Sequence, residues 1–154
     1  MKGKNIVEIE KFYNKCIISP NKLTTPVLYY SDKNGRIRMW YAVIILYDNS
    51  LDESAWLPMS FESAHKAAIY THAQLEGGKL SVSSPTRVVA GKNIGRISET
   101  TPLQQAISEV MSTFNKKVNS GAVTSRDEIK QNMIYDDLLK RDIINPQRVK
   151  VMLL

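Results

Sequence analysis

An α+β domain is what this sequence predicts: an antiparallel β-sheet with helices packed on one face, plus N- and C-terminal arms. Two apolar patterns carry that expectation. Along Arg36 to Tyr47, apolar residues alternate with period two, which marks a strand. From Leu103 to Val118 they recur at helical spacing, which marks one amphipathic helix.

Taken in order, residues 1–26 are mixed, with Ile6, Ile9, Phe12 and Tyr13 able to share one helical stripe before Pro20 and Pro26 break the chain. They read as an N-terminal arm. Val27 to Ser31 reads as a strand. Asp32-Lys33-Asn34-Gly35 is a hairpin signal, because Asn-Gly supplies the positive φ values that tight turns require. In the strand that follows, Ile37, Met39, Tyr41, Val43 and Ile45 fall on one face. The other face begins with Arg36 and Arg38 and ends with Ala42, Ile44 and Leu46, so one end is half-solvated and the other covered on both sides. Asp48 to Ser60 reads as a polar loop. Ala67 to Ala73 suits either a strand or the continuation of a short helix from near Ser63. Gly77-Gly78 turns the chain. Lys79 to Val89 returns as a strand interrupted near Pro85, a sign of an edge or a bulge. Thr101 is placed as N-cap and Pro102 as first residue of the main helix, whose end Gly121 marks. A second helix is expected from Thr124, with Asp127 completing a capping-box variant and Ile129, Met133, Ile134 and Leu138 on its apolar face. The division is 1–26 arm, 27–121 domain, 122–154 C-terminal helix and tail.

The net charge of +6 over 154 residues favours an anionic partner, with nucleic acid the first candidate. Cys16 is the only cysteine, which excludes an intrachain disulfide and a cysteine-based zinc site. The longest apolar run, Met39 to Tyr47, is far too short to span a bilayer, so a soluble intracellular protein is expected, with no membrane partner.

The basic turn Gly91-Lys92-Asn93-Ile94-Gly95-Arg96 leads into the helix start at Thr101. Glycines let a backbone approach a phosphate, and a helix N-terminus offers N–H groups to an anion. Arg87, Lys92, Arg96, Lys116 and Lys117 cluster in sequence around this strand, turn and helix. Each cation that meets a phosphate releases condensed counterions and adds salt-dependent affinity. A solvated rim is the bland alternative. Trp40 shares the strand face of Arg36 and Arg38, where it offers a stacking platform for a base, although core packing is the commoner role of a strand aromatic. These eight residues are the expected nucleic-acid contacts. Other chemistry is not indicated. Gly91-Lys92 lacks Walker A spacing and the following Ser or Thr. The serines form no G-x-S-x-G elbow. His65 and His72 stand without clustered acids, and Asp136-Asp137 diverge around their helix. No metal, cofactor or catalytic residue is expected.

Between Val27 and Gly121 three segments carry a family likeness: Leu28-Tyr29-Tyr30-Ser31-Asp32-Lys33-Asn34-Gly35-Arg36-Ile37-Arg38-Met39-Trp40, the Gly77-Gly78 turn, and the run from Gly91 to Ala106 with Asn115-Lys116-Lys117-Val118-Asn119-Ser120-Gly121. They resemble the WGR-like domain at the N-terminus of many phage ATP-dependent DNA ligases. The resemblance implies nucleic-acid binding, in the manner of WGR domains that contact DNA near strand ends. Ser84-Pro85-Thr86-Arg87-Val88 is similar in position to that family's S-W-G-R-V segment. Pro85 replaces the tryptophan and Thr86 the glycine, which leaves Arg87 as the inherited phosphate contact. No K-x-D-G nucleophile motif occurs, so no adenylated lysine is assigned and no enzymatic role is expected. The tail from Val149 to Leu154 resembles the linker that precedes the catalytic domain in such ligases. The chain then reads as a ligase fragment or as a stand-alone viral relative, acting in the cytoplasm or nucleus of an infected cell or carried in the virion.

Two classes of function remain. One is a DNA-binding accessory module of a viral DNA-processing system, met at DNA ends or nicks. The other is a non-enzymatic structural or protein-interaction subunit of a viral assembly, holding a ligase or another viral protein through its C-terminal tail.

Overall fold

The computed structural model describes residues 4–51, 57–96 and 99–128. Its elements run α1 (Lys4–Tyr13), β1 (Ile17–Ser19), β2 (Lys22–Thr24), β3 (Leu28–Ser31), β4 (Ile37–Tyr47), β5 (Lys66–Leu75), β6 (Ser81–Val82), β7 (Thr86–Val88) and α2 (Pro102–Asn119). All seven strands join one antiparallel sheet, giving the α+β arrangement the sequence predicts.

β4 is the spine. On one edge it pairs with β2 over Val43–Ile45 and with β3 over Ile37–Trp40; β1 adds to β2 outside. Its other edge pairs with β5 along ten residue pairs, and β6 and β7 both pair with the far side of β5. The break between β6 and β7 falls at Pro85, which has no N–H to give a ladder. β2 and β3 are separate strands for a similar reason. Pro26 interrupts them, and buried Thr25 bridges the gap by donating its N–H to the carbonyl of Ala42 while its Oγ1 accepts from the Ala42 N–H.

Residues paired across an antiparallel ladder share a face. Trp40, Ala42, Ile44 and Leu46 of β4 therefore share one with Leu23, Leu28 and Ala67, and this face meets both helices. α1 supplies Ile6, Ile9 and Phe12 to that core, and α2 supplies Leu103, Ala106, Ile107 and Val110. Phe12 and Phe114 meet edge to face at 5.1 Å, which joins the helices to each other. The expected contrast along β4 holds: from Ala42 to Tyr47 every residue is buried, while Arg38, Met39 and Tyr41 are half-exposed.

Three expectations need correction, and one open alternative is decided. The segment read as an N-terminal arm is part of the domain: Ile9 and Leu23 are fully buried, and β2 fills the edge of β4 that would otherwise lie open. Its stripe of Ile6, Ile9 and Phe12 was legible, but the face that receives it is made by strands distant in sequence. Residues 66–75 take the strand form, one of the two alternatives expected, with Ala67 and Ile69 packed beneath α2 and Ala68 on the opposite face. In the β3–β4 hairpin, Gly35 has positive φ (77°) and Asn34 does not. Asp32 closes the turn, its carboxylate accepting from the N–H of Asn34 and of Arg36, both at 2.9 Å. Val118, expected on the apolar face of α2, is exposed at the helix end. Beyond α2 the chain returns to the sheet, where Val123 and Tyr29 exchange both backbone hydrogen bonds. A helix then starts one residue later than expected, with the Ser125 hydroxyl accepting from the Glu128 N–H. The apolar face from Ile129 to Leu138 and the tail to Leu154 lie outside the described residues.

Candidate nucleic-acid interface

The basic turn after β7 is closed by its own hydrogen bonds. Lys92 N–H donates to Thr100 Oγ1 at 2.9 Å, and Thr100 N–H returns to the Lys92 carbonyl at 3.0 Å. Inside this clasp, Arg96 N–H reaches the Asn93 carbonyl and Gly95 N–H reaches the Glu99 carboxylate. Asn93 (φ 56°) and Gly95 (φ 83°) take the left-handed conformation that lets the chain reverse twice within so few residues. Gly91 is required at the base, because a Cβ there would collide with the carbonyl of Thr100. Lys92, Ile94 and Arg96 are left pointing outward and exposed. Among the described residues, neither Lys92 nor Arg96 forms an ion pair.

The helix N-terminus beside this turn is not the open anion site that the sequence suggested. Thr101 caps it: the Thr101 hydroxyl accepts from Gln104 N–H, and the Gln104 side chain accepts from Thr101 N–H. Gln104 Nε2 also donates to the Phe61 carbonyl, and Thr100, Leu103, Gln104 and Gln105 are all buried. The cap answers the Gln104 N–H, and the first turn is pressed against the core.

The far end of α2 holds a second cationic group. Lys117 Nζ stands 5.2 Å from the ring centroids of both Tyr30 and Trp40. Tyr30 and Trp40 lie on the helix face of the sheet, and Trp40 is only 6% exposed. Its ring is therefore closed to a base. What it does is hold an ammonium above its face, a cation–π contact. Exposed Lys116, Thr113 and Ser120, with half-buried Lys117 and Tyr30, line a cleft of about 390 Å³ here. α2 has 18 residues, about 27 Å at 1.5 Å per residue, and this cleft lies at its far end from the Lys92–Arg96 turn.

The remaining expected contacts are distributed elsewhere. Arg36 and Arg38 share the carboxylate of Asp32 at 3.3 Å each, which offsets part of their charge. The Arg36 N–H, first among several donors and cations, holds the Asp32 carboxyl below the usual carboxylate range. Arg87 pairs in register with Ala68, on the sheet face away from the helices, and its guanidinium lies 5.4 Å from the Tyr47 ring centroid. The eight residues thus form separate groups: the turn, the end of α2, the hairpin, and Arg87 on the reverse face. Sequence reasoning passed over Lys11 and Lys15. Both line a cleft of about 370 Å³ between α1 and α2, together with Asn14, Asn115 and Glu8. The apolar stripe of α1 was the available signal, since Lys11 and Lys15 flank Phe12 on its solvent side.

The other side chains of interest are structural. Burial pushes the Cys16 thiol up to about 12, so it stays protonated, donating to the Phe12 carbonyl. Among the described residues no group of histidine, cysteine and acids is arranged to hold a metal, and no helix is long and apolar enough to cross a membrane.

A single α+β sheet domain with basic groups at both ends of its main helix is thus what fold and site define. No protein-family model matches the chain. It is similar to viral DNA ligases. It is 28% identical over 130 residues to the DNA ligase of African swine fever virus, isolate Tick/Malawi, a match that covers 79% of this chain and 29% of the ligase. Against the DNA ligase of the Pig/Kenya isolate it is 28% identical over 121 residues, covering 73% of the chain and 28% of the ligase. A shorter match, 37% identical over 65 residues, joins 41% of the chain to the DNA ligase of the Badajoz strain. The chain therefore spans less than a third of the length of the curated relatives it matches.

Proposed function

We propose that this chain is a DNA-binding accessory domain of a viral DNA-processing system, WGR-like in kind and without a catalytic centre of its own. The observation that carries the reading is the clasped turn that displays exposed Lys92 and Arg96, which form no ion pair among the described residues. The clasp fixes the backbone around Lys92 and Arg96, so binding a phosphate backbone has only their side chains left to order. The similarity to viral DNA ligases supports duplex DNA as the partner, with a ligase to which the domain is tethered or which it assists. In this reading Lys92 and Arg96 contact phosphates from the turn. Lys116 and Lys117 do so from the end of α2, with Trp40 and Tyr30 positioning Lys117. Arg36, Arg38 and Arg87 widen the positive field without joining one continuous patch.

Binding is then dominated by backbone charge, with affinity that falls steeply between low and physiological salt. The test is a mobility shift on duplex DNA across a salt series, comparing the wild type with Lys92→Glu/Arg96→Glu. Both side chains are exposed, so the double variant should lose DNA binding and keep its melting temperature. A wild-type protein that shifts no duplex even at low ionic strength overturns the nucleic-acid reading.

A protein-interaction subunit is the second reading. One observation favours it: Leu80, Val82, Val89 and Ile94 are exposed apolar residues around the β6–β7 edge. A stable complex with a ligase or another viral protein that Val82→Lys/Val89→Lys abolishes, in a chain that ignores DNA, is the outcome that would establish it.

A further inference from the structure

The solvent side of α2 differs from an ordinary charged helix face. Ser108, Ser112, Asn115 and Asn119 follow one another at spacings that keep them in one row, opposite the buried stripe of Leu103, Ile107 and Val110. Ser112, Asn115 and Asn119 are exposed, and Glu109 is the single acid in the helix. Small neutral side chains with both donors and acceptors therefore make a ridge. On each side of its C-terminal half lies a basic cleft. Toward α1 is the cleft with Lys11, Lys15 and Asn14, where the one acid, Glu8, is already paired with Lys11 at 3.5 Å. Toward β3 is the cleft with Lys116, Lys117, Thr113 and Ser120. A neutral ridge between two cationic troughs is complementary to a nucleic-acid groove between two phosphate walls.

We infer that the C-terminal half of α2 lies in the major groove of B-form DNA, with Lys11 and Lys15 on one phosphate wall and Lys116 on the other. The inference rests on the DNA-binding reading above and extends it from a charged turn to a docking geometry. Dimensions select the groove. A helix with its side chains is about 10–12 Å across. The B-DNA major groove is about 12 Å wide and the minor groove only about 6 Å. The A-form duplex has a deep, narrow major groove that side chains cannot read, so double-stranded RNA does not fit. Short Ser and Asn side chains allow close approach to base edges and sugars.

The test is fluorescence anisotropy with the whole chain and a short DNA duplex at low salt. Ser112→Glu/Asn119→Glu places negative charge on the ridge at exposed positions, and Lys15→Glu/Lys116→Glu reverses one cation in each trough. Circular dichroism checks that both stay folded. Each should weaken binding by about tenfold or more. Methyl green, which occupies the major groove, should compete, whereas netropsin in the minor groove should not. An RNA duplex of the same sequence should bind far more weakly than the DNA. If the ridge variant binds like wild type, netropsin competes in place of methyl green, or the RNA duplex binds equally, the geometry is overturned while the DNA-binding reading stands. A wild type that binds no DNA overturns both.

Discussion

Thr101 and Gly91 show how two residues fix the approach to α2. The Thr101 hydroxyl takes the N–H of Gln104, and the Gln104 side chain answers the N–H of Thr101. Removing such a cap costs about 1 kcal/mol. Thr101→Ala should therefore lower the unfolding free energy by roughly that amount in urea, with an unchanged slope. Gly91→Ala should cost more, about 2 kcal/mol or above, since its Cβ has no room beside the Thr100 carbonyl and the clasp must open. Gly95→Ala, strained in φ but in open space, should cost less. Reversal of that order in parallel denaturation curves would mean that the clasp is not closed as described. Asp32 gives a prediction in pH. Its carboxyl is held below its ordinary value of 3.8 by the N–H of Arg36 and then by Asn34 and the two guanidiniums. The ionised form is thus favoured by folding. Its contribution is complete above about 3.8 and is lost as pH falls through the lower folded value. Amide exchange in the β3–β4 hairpin should accelerate over that acid range in wild type, and Asp32→Asn should remove the dependence.

At the scale of elements, α1 is the decisive case. Ile6, Ile9 and Phe12 sit in the same core as Leu103, Ala106 and Ile107, so the helix is a wall of the domain. Deleting residues 1–14 uncovers the Phe114 edge of α2 and the sheet face beneath it. The truncated chain should lose cooperative unfolding in calorimetry, whereas a dispensable arm would leave the transition intact. A smaller change reads the same contact: Ile9→Ala, at a fully buried site, should cost about 2–5 kcal/mol. α2 is the other pivot. Its buried face holds the sheet, its first turn anchors the clasped loop, and its last turns carry Lys116 and Lys117. One element therefore sets the spacing between both cationic groups, and altering its length would move one group relative to the other.

For the molecule as a whole the net charge is +6, and among the described residues the basic side chains fall into several separate groups. Arg87 faces away from the helix layer, and Arg36 and Arg38 are bound to Asp32, so the helix side is where uncompensated charge and small polar side chains coincide. Binding there should stabilise the native state by mass action. Duplex DNA at about one hundred times its dissociation constant should raise the unfolding free energy by about 2.7 kcal/mol at low salt. The same duplex should give no shift at high salt, where counterion release no longer drives association. Differential scanning fluorimetry at both salt concentrations checks it, and an equal shift at both would point to contacts other than phosphates.

Local patterns were enough to place much of this protein. Period-two alternation gave β4, a threonine-proline start and an apolar heptad-like stripe gave α2, and the Gly91–Arg96 turn was visible as a basic, glycine-bounded loop, because each depends on contacts within a few residues. Sheet order was not legible: the pairing of β2 with β4, or of β7 with β5, joins segments whose partners are chosen by which faces can be buried together. The candidate site divides the same way. Sequence proximity grouped Arg87 with Lys92 and opened Trp40 to a base, whereas strand register turned Arg87 to the reverse face and α2 covered Trp40 with Lys117. Lys11 and Lys15 became part of the surface only when α1 packed beside α2. Residue type and spacing determined which elements form and which charges exist. The tertiary structure decided which of those charges face one another, because facing is a property of packed surfaces and not of neighbouring positions in the chain.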